Sequence, residues 1–200
     1  MKKNRIVAIV SILFATVLFS SCGYNTIVTL REGVDAQWAN VENQYQRRAD
    51  LVPNLVSTVK GYAKHESEIF EQVSQARAQL ASGMSADSSI TDDPEKLAAY
   101  QKAQDSLGAS LSRLIAIAEA YPDLKANQNF LQLQNELSDI ENKLASVRRF
   151  FNSATKELNN AVQSFPSNII AGMFGFKTEP MFEIPASDRA AHEKAPEIKF

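Results

Sequence analysis

Three groups of residues in this chain are of types that do chemistry. The first is Cys22, the chain's only cysteine. It follows Ser20 and Ser21 and closes an apolar run, a placement like that of a lipobox, where a signal is cleaved and the new N-terminal cysteine is lipidated. Phe19 departs from the Leu, Val or Ile usual at its position. The second is His65 and Glu66, with Glu68 nearby, a pattern that suggests a metal or an acid–base pair. Zinc needs three or four converging ligands, and the only other histidine is His192. A surface or core-edge histidine is therefore expected, and no metal and no cofactor is assigned. The third is the crowd of Arg47, Arg48, Asp50, Asn54 and Lys60 around Pro53. It reads either as a polar docking patch at a helix bend or as local repair. In the second case Asp50 pairs with Arg47, and Asn54 or water satisfies the carbonyl that the proline frees.

Other chemistry finds no support. With Cys22 at the tether, no Ser/His/Asp or Cys/His arrangement is formed, and the glycines are too scattered for a phosphate-binding loop. Gly61 and Gly108 sit inside helical patterns, where close packing explains them.

The elements that position these residues are helical. Lys2, Lys3 and Arg5 precede the apolar run Ile6 to Phe19, the layout of a secretory signal in residues 1–21, and the run is short for a membrane span. The competing reading is an uncleaved anchor from Ile6 to Cys22. Both leave the body of the chain outside the cytoplasm, because the basic start holds the N-terminus inside. Cleavage before Cys22 leaves a mature net charge of about −5, which disfavours nucleic acid as a partner. With no second cysteine, a packed core rather than a disulfide must hold the fold.

Residues 22–33 read as a tether and 34–176 as a helical bundle. Val34, Trp38, Val41, Tyr45, Val52, Leu55, Val59, Tyr62, Ile69, Val73, Ala76 and Leu80 share one heptad register, interrupted by Arg48 and Glu66. The register passes Pro53 unshifted. This favours one bent helix from Val34 to Leu80, roughly 70 Å long at 1.5 Å per residue, over a break at Pro53 that would fold the first segment back and make Trp38, Val41 and Tyr45 ordinary core. A polar loop follows from Ser82 to Asp92. Asp93 then caps a second helix with the stripe Leu97, Tyr100, Gln104, Leu107, Leu111, Leu114, Ala118 and Tyr121, stopped by Pro122. A third stripe, wholly apolar, runs Phe130, Leu133, Leu137, Ile140, Leu144, Val147, Phe151, Ala154, Leu158, Ala161 and Phe165. Ser167 caps a short helix that Gly175 closes. Residues 177–200 form a tail expected to be extended and partly mobile, with Phe176 to Ile184 the segment most suited to extension.

The predicted fold class is thus all-α, a long antiparallel up-down-up bundle with a short C-terminal helix. In that arrangement the second helix descends only to about the level of Leu55. Trp38, Val41 and Tyr45 are then left near the membrane end without an intramolecular partner, and such an apolar seam marks an interaction surface. Glu66, at a core position, is expected to pair with a basic residue such as Arg113 or Lys143.

The run Trp38-Ala-Asn-Val41-Glu-Asn-Gln44-Tyr-Gln46-Arg47-Arg48-Ala-Asp50-Leu51-Val52-Pro53-Asn54-Leu55-Val56 resembles the signature of the LemA family. Val59 to Glu66, Ala76-Arg77, Arg148-Arg149-Phe150-Phe151-Asn152, Phe165 to Ala171 and Phe174-Gly175-Phe176 continue the likeness over nearly the whole mature chain. The resemblance implies an all-helical bundle behind an N-terminal membrane segment. It implies no agreed activity, only a membrane-anchored protein loosely linked to envelope processes and, in one branch, to magnetosome membranes. The lipobox-like Cys22 departs from the usual member.

Function is accordingly expected to be that of a membrane-tethered, non-enzymatic scaffold or adaptor. It would bind itself or an envelope protein through Trp38, Val41, Tyr45, Arg47, Arg48, Asp50 and Asn54. Gly23 after the cysteine does not resemble an inner-membrane retention signal, which favours the outer membrane. The alternatives are a metal-dependent hydrolase built on His65 and Glu66, and a ligand sensor bending at Pro53.

Overall fold

The computed structural model describes the backbone of residues 2–83 and 90–183 and the side chains of residues 23–81 and 90–183. The side chains of the expected signal, Cys22 included, lie outside the described residues, as does the tail beyond Glu183. All regular structure among the described residues is helical: α1 (Lys2–Tyr62), α2 (Ser67–Gly83), α3 (Pro94–Ala118), α4 (Pro122–Lys125), α5 (Gln128–Gln163) and α6 (Ser167–Phe174).

The helix ends follow from local chemistry. Asp93 is extended and its carboxylate accepts from the Glu95 and Lys96 amides at 2.9 and 3.4 Å, while Pro94, which has no amide hydrogen to lose, starts α3. Asn127 caps α5 by accepting from the Phe130 amide at 3.0 Å. Gly175, at φ 77°, takes the left-handed conformation that lets the Phe176 amide reach back to the Ala171 carbonyl and close α6. Ser167 does not cap α6 as expected. Its hydroxyl donates backwards to the Ala161 and Ser164 carbonyls, tying α6 to the end of α5.

Contacts between helices set the directions. Arg31 meets Asp92 at 3.0 Å, the Tyr45 ring packs edge-on against Tyr100, and Arg48 reaches Gln104, so α3 runs parallel to α1. Tyr121 donates to Glu66 and Arg113 to Gln72, so α2 runs back along α3. Asn127 donates to Tyr62, Arg48 to Glu141 and Arg148 to Tyr45, so α5 runs antiparallel to α1. The closest pairings are α1 with α5 and α2 with α3.

The all-α antiparallel bundle is as expected, and α1 does pass through Pro53. It does not continue to Leu80. It ends at Tyr62, and a turn closed by the Glu66 amide on the Ala63 carbonyl reverses the chain into α2. Tyr62 is exposed, and the buried positions step by one to Ala63 and Phe70 before Val73, Ala76 and Leu80 resume the stripe. Apolar periodicity reports which face is buried, not whether the backbone is unbroken. Two antiparallel legs facing one core read like a single helix when the turn between them is short.

That turn also removes the expected seam. Because α2 takes the downward leg, α3 starts low and climbs beside α1, with its first turns level with Trp38. Val41 and Tyr45 are fully buried, and Trp38 lies against Tyr100, Phe151 and Phe182 with ring centroids 5.5–5.9 Å apart. Val41 and Tyr45 are core and Trp38 is packed against it, so the three are not an exposed interaction surface. No break marks the expected tether boundary at residue 34 either, since α1 runs through it and Ile27 is already buried.

Candidate interaction groove

Arg48 organises the middle of the bundle. It projects from α1 between α3 and α5 with only 3% of its side chain exposed. One guanidinium nitrogen donates to Glu141 on α5 at 3.0 Å. The other donates to the Gln104 backbone carbonyl at 2.8 Å and to its side-chain oxygen. A buried cation is tolerated only with such partners. A turn earlier, Arg148 of α5 donates to the Tyr45 hydroxyl, lies 3.6 Å from Asp105 of α3, and covers the Tyr45 and Phe182 rings. Burial raises the Tyr45 phenol above its ordinary value against the pull of Arg148, so the hydroxyl stays neutral.

Above this polar floor α3 and α5 leave an open cleft of about 870 Å³, walled by Asp105, Leu111, Gln134, Leu137 and Glu141. Below Arg148 the same furrow is filled by the chain itself. Residues 176–183 carry no helix or strand and run along α5 in the opposite direction. Three side-chain amides hold that segment by its backbone. Asn159 donates to the Glu179 carbonyl and accepts from the Glu179 amide, both at 2.8 Å. Asn152 does the same for Phe182 at 3.0 and 2.9 Å. Gln101, across the furrow on α3, does so for Glu183 at 2.6 and 3.3 Å.

The spacing follows from helix and strand geometry. Asn152 and Asn159 are two turns apart on one face of α5, roughly 10.5 Å. Three residues of extended backbone, from Glu179 to Phe182, cover roughly 10 Å. Successive amides therefore meet backbone groups in step. Two side chains add anchors. Phe182 enters the Trp38–Phe151 cluster, stacked on Trp38, and the buried Glu179 carboxylate lies 3.6 Å from Arg31. Burial pushes the Glu179 carboxyl up to about 7 against the pull of Arg31, with Asp92 and Asp35 adding to the rise.

Sequence reading had not assigned these amides a role. Asn152 appeared only within the family-like run, and Asn159 and Gln101 not at all. A signal was present, since Asn152 and Asn159 each adjoin an apolar stripe position, Phe151 and Leu158. The polar crowd near Pro53 does not converge. Arg48 is core, whereas Arg47 is exposed and reaches Glu136 at 4.0 Å. Asp50 accepts from Gln46, not Arg47, and the Asn54 carbonyl accepts from Thr58. Glu66 is bonded by Tyr121 at 3.2 Å rather than by Arg113 or Lys143, and Arg113 turns to Gln72. His65 is exposed, and among the described residues no three His, Cys, Asp or Glu side chains are grouped as a metal would need. Nor, among them, is any helix long and apolar enough to cross a membrane.

The LemA family model matches residues 37–200, from the residue before Trp38 through the groove and the docked segment. The chain belongs to the LemA family. It is 31% identical to magnetosome protein MamQ of Magnetospirillum gryphiswaldense over 181 residues, covering 82% of this chain and 66% of that one. It is 29% identical to magnetosome protein MamQ 2 of Paramagnetospirillum magneticum with the same coverage. Protein LemA of Metamycoplasma hominis is 26% identical over 144 residues, 72% of this chain and 61% of its own. This LemA-family chain thus spans just under two thirds of the length of these relatives.

Proposed function

We propose that this chain is a membrane-tethered, non-enzymatic helical scaffold or adaptor of the cell envelope, acting by protein–protein interaction through the furrow between α3 and α5. The observation that carries the reading is the amide ladder of Asn159, Asn152 and Gln101. Each amide satisfies both backbone groups of one residue in an extended segment, so most of the grip is independent of the segment's sequence. A furrow that already seats the chain's own residues 179–183 is suited to seating another polypeptide in the same way, and the open cleft beyond Arg148 lengthens it.

Membrane attachment in this reading rests on the N-terminal sequence, through lipid on Cys22 or an uncleaved apolar anchor, on the non-cytoplasmic side and with the outer membrane favoured. Family membership and the magnetosome naming of relatives support a membrane setting.

A peptide carrying the sequence of residues 176–183 tests the groove. The full chain with Phe182→Ala, which loosens its own segment, should bind the labelled peptide measurably by fluorescence anisotropy. Asn152→Ala and Asn159→Ala added to that background should weaken binding about tenfold or more, at about 1 kcal/mol or more per lost pair of bonds. Equal binding with and without the two asparagines would sink the reading.

A further inference from the structure

Two long stretches of the chain carry no charge and meet at one end of the described bundle. Between Arg5 and Arg31 on α1 there is no Asp, Glu, Lys or Arg, and between Glu157 and Lys177, which spans the end of α5 and all of α6, there is none either. The fold brings these two stretches together. Ile170 of α6 packs over Gly23, where any added Cβ would lie 2.5 Å from its tip, and the Tyr24 ring lies 4.8 Å from Phe174 and 5.6 Å from Phe176. Ile170 and Ala171 are thereby buried.

The opposite side of this end is apolar and uncovered. Phe165 is 80% exposed, Met173 76% and Ile169 55%, and Phe174, at the edge of the Tyr24 contact, is 59% exposed. Ile169 and Met173 stand one turn apart on one face of α6, with Phe165 just ahead of them. A folded chain rarely shows water such a contiguous patch without a partner.

We infer that this face of α6, with Phe165, is seated in the lipid bilayer interface as a second membrane contact beside the N-terminal tether. Position identifies the occupant. α1 is continuous from Lys2, so the apolar run ending at Phe19 lies four residues before Gly23, roughly 6 Å along the helix. Interfacial helices sink about 5–10 Å into the headgroup and acyl boundary, the same depth. If instead the chain begins at a lipidated Cys22, the acyl chains start one residue from the α6 contact. Both forms of the tether hold α6 at the surface. The uncharged stretches of α1, α5 and α6 that meet here suit a region where charge is costly, and Tyr24 beside two phenylalanines suits the aromatic belt.

This inference rests on the membrane attachment proposed above, and one experiment separates the two. The full chain carrying Phe165→Trp, Ile169→Trp or Met173→Trp is mixed with phosphatidylcholine–phosphatidylglycerol vesicles containing lipids brominated on their acyl chains. Leu131→Trp, exposed at the far end of α5, is the control, and the partly buried Trp38 of the parent gives the baseline. All the substituted sites are exposed, and unchanged far-UV helicity checks the fold. Co-flotation reports attachment. The expected result is flotation of all variants, with emission at 165, 169 and 173 quenched about twofold or more and that at 131 unchanged. A chain that floats with unquenched α6 reporters overturns the inference and leaves the tether standing. Unquenched reporters together with concentration-dependent dimers would assign the face to a second copy, overturning it as well. A chain that does not float overturns both readings.

Discussion

Among the described residues, Arg48 and Glu179 are the two buried charged side chains, and each makes its own prediction. Arg48 is nearly enclosed, while its partner Glu141 is about half exposed. Removing the cation takes a hydrogen-bond donor from the buried Gln104 side-chain oxygen and leaves a hole in the packing, whereas removing Glu141 leaves Arg48 its two bonds to Gln104. Arg48→Ala should therefore cost about 3 kcal/mol and Glu141→Ala about 1 kcal/mol in urea unfolding. Equal costs would mean that the surface pair, not the buried bonds, carries the energy. For Glu179 the sign follows from a carboxyl raised from 4.5 to about 7. The docked segment favours the protonated acid, so its contribution is full below about 4.5 and is lost as pH rises through about 7. Amide exchange protection at Phe182, corrected for intrinsic rate, should fall between pH 5 and pH 8, and Glu179→Gln should flatten that dependence.

At the scale of elements, the turn after Tyr62 matters more than the proline that draws the eye. Pro53 leaves α1 continuous, and the chain reverses ten residues later. Gly61 stands in the last turn of α1 with open space where a Cβ would go. Alanine there should stabilise the fold by about 0.5–1 kcal/mol, read as a rise in Tm, because it loses less backbone entropy than glycine and meets nothing. A loss of stability would show that the turn needs glycine at its approach. The same element scale explains what sequence reading saw and missed. Asp93, Pro94 and Gly175 act within a few residues of themselves, so the ends of α3 and α6 were legible. The stripes of α3 and α5 were legible because burial is periodic along a helix. The reversal at Ala63–Glu66 was hidden because both legs turn the same heptad face to the core.

For the whole molecule, four legs instead of three change where its surfaces lie. Val41 and Tyr45 pass from an expected docking seam into the core, with Trp38 packed partly buried against it, and the uncovered apolar surface moves to α6. In the proposed readings, polypeptide occupies the furrow between α3 and α5 and lipid lies against the exposed face of α6. In the same reading, Cys22 is the tether that holds both at a membrane. If it is the lipidation site, labelled palmitate should enter the full chain in a bacterial host and be lost on Cys22→Ser, a result read by gel autoradiography. Label retained without the thiol would refute that assignment.

The sequence alone determined the helical class, the buried face of α3, the ends marked by Asp93, Pro94 and Gly175, and the family, because each depends on residues near one another along the chain. It also placed Cys22 against an apolar run. Tertiary structure alone decided that Asn152, Asn159 and Gln101 converge on one segment, that Arg48 is buried, and that α6 sits beside Gly23. Those facts join residues far apart in sequence, and whether distant side chains meet depends on where the chain reverses. Here the reversal was made by a short turn at Ala63–Glu66 that leaves almost no trace in the heptad pattern.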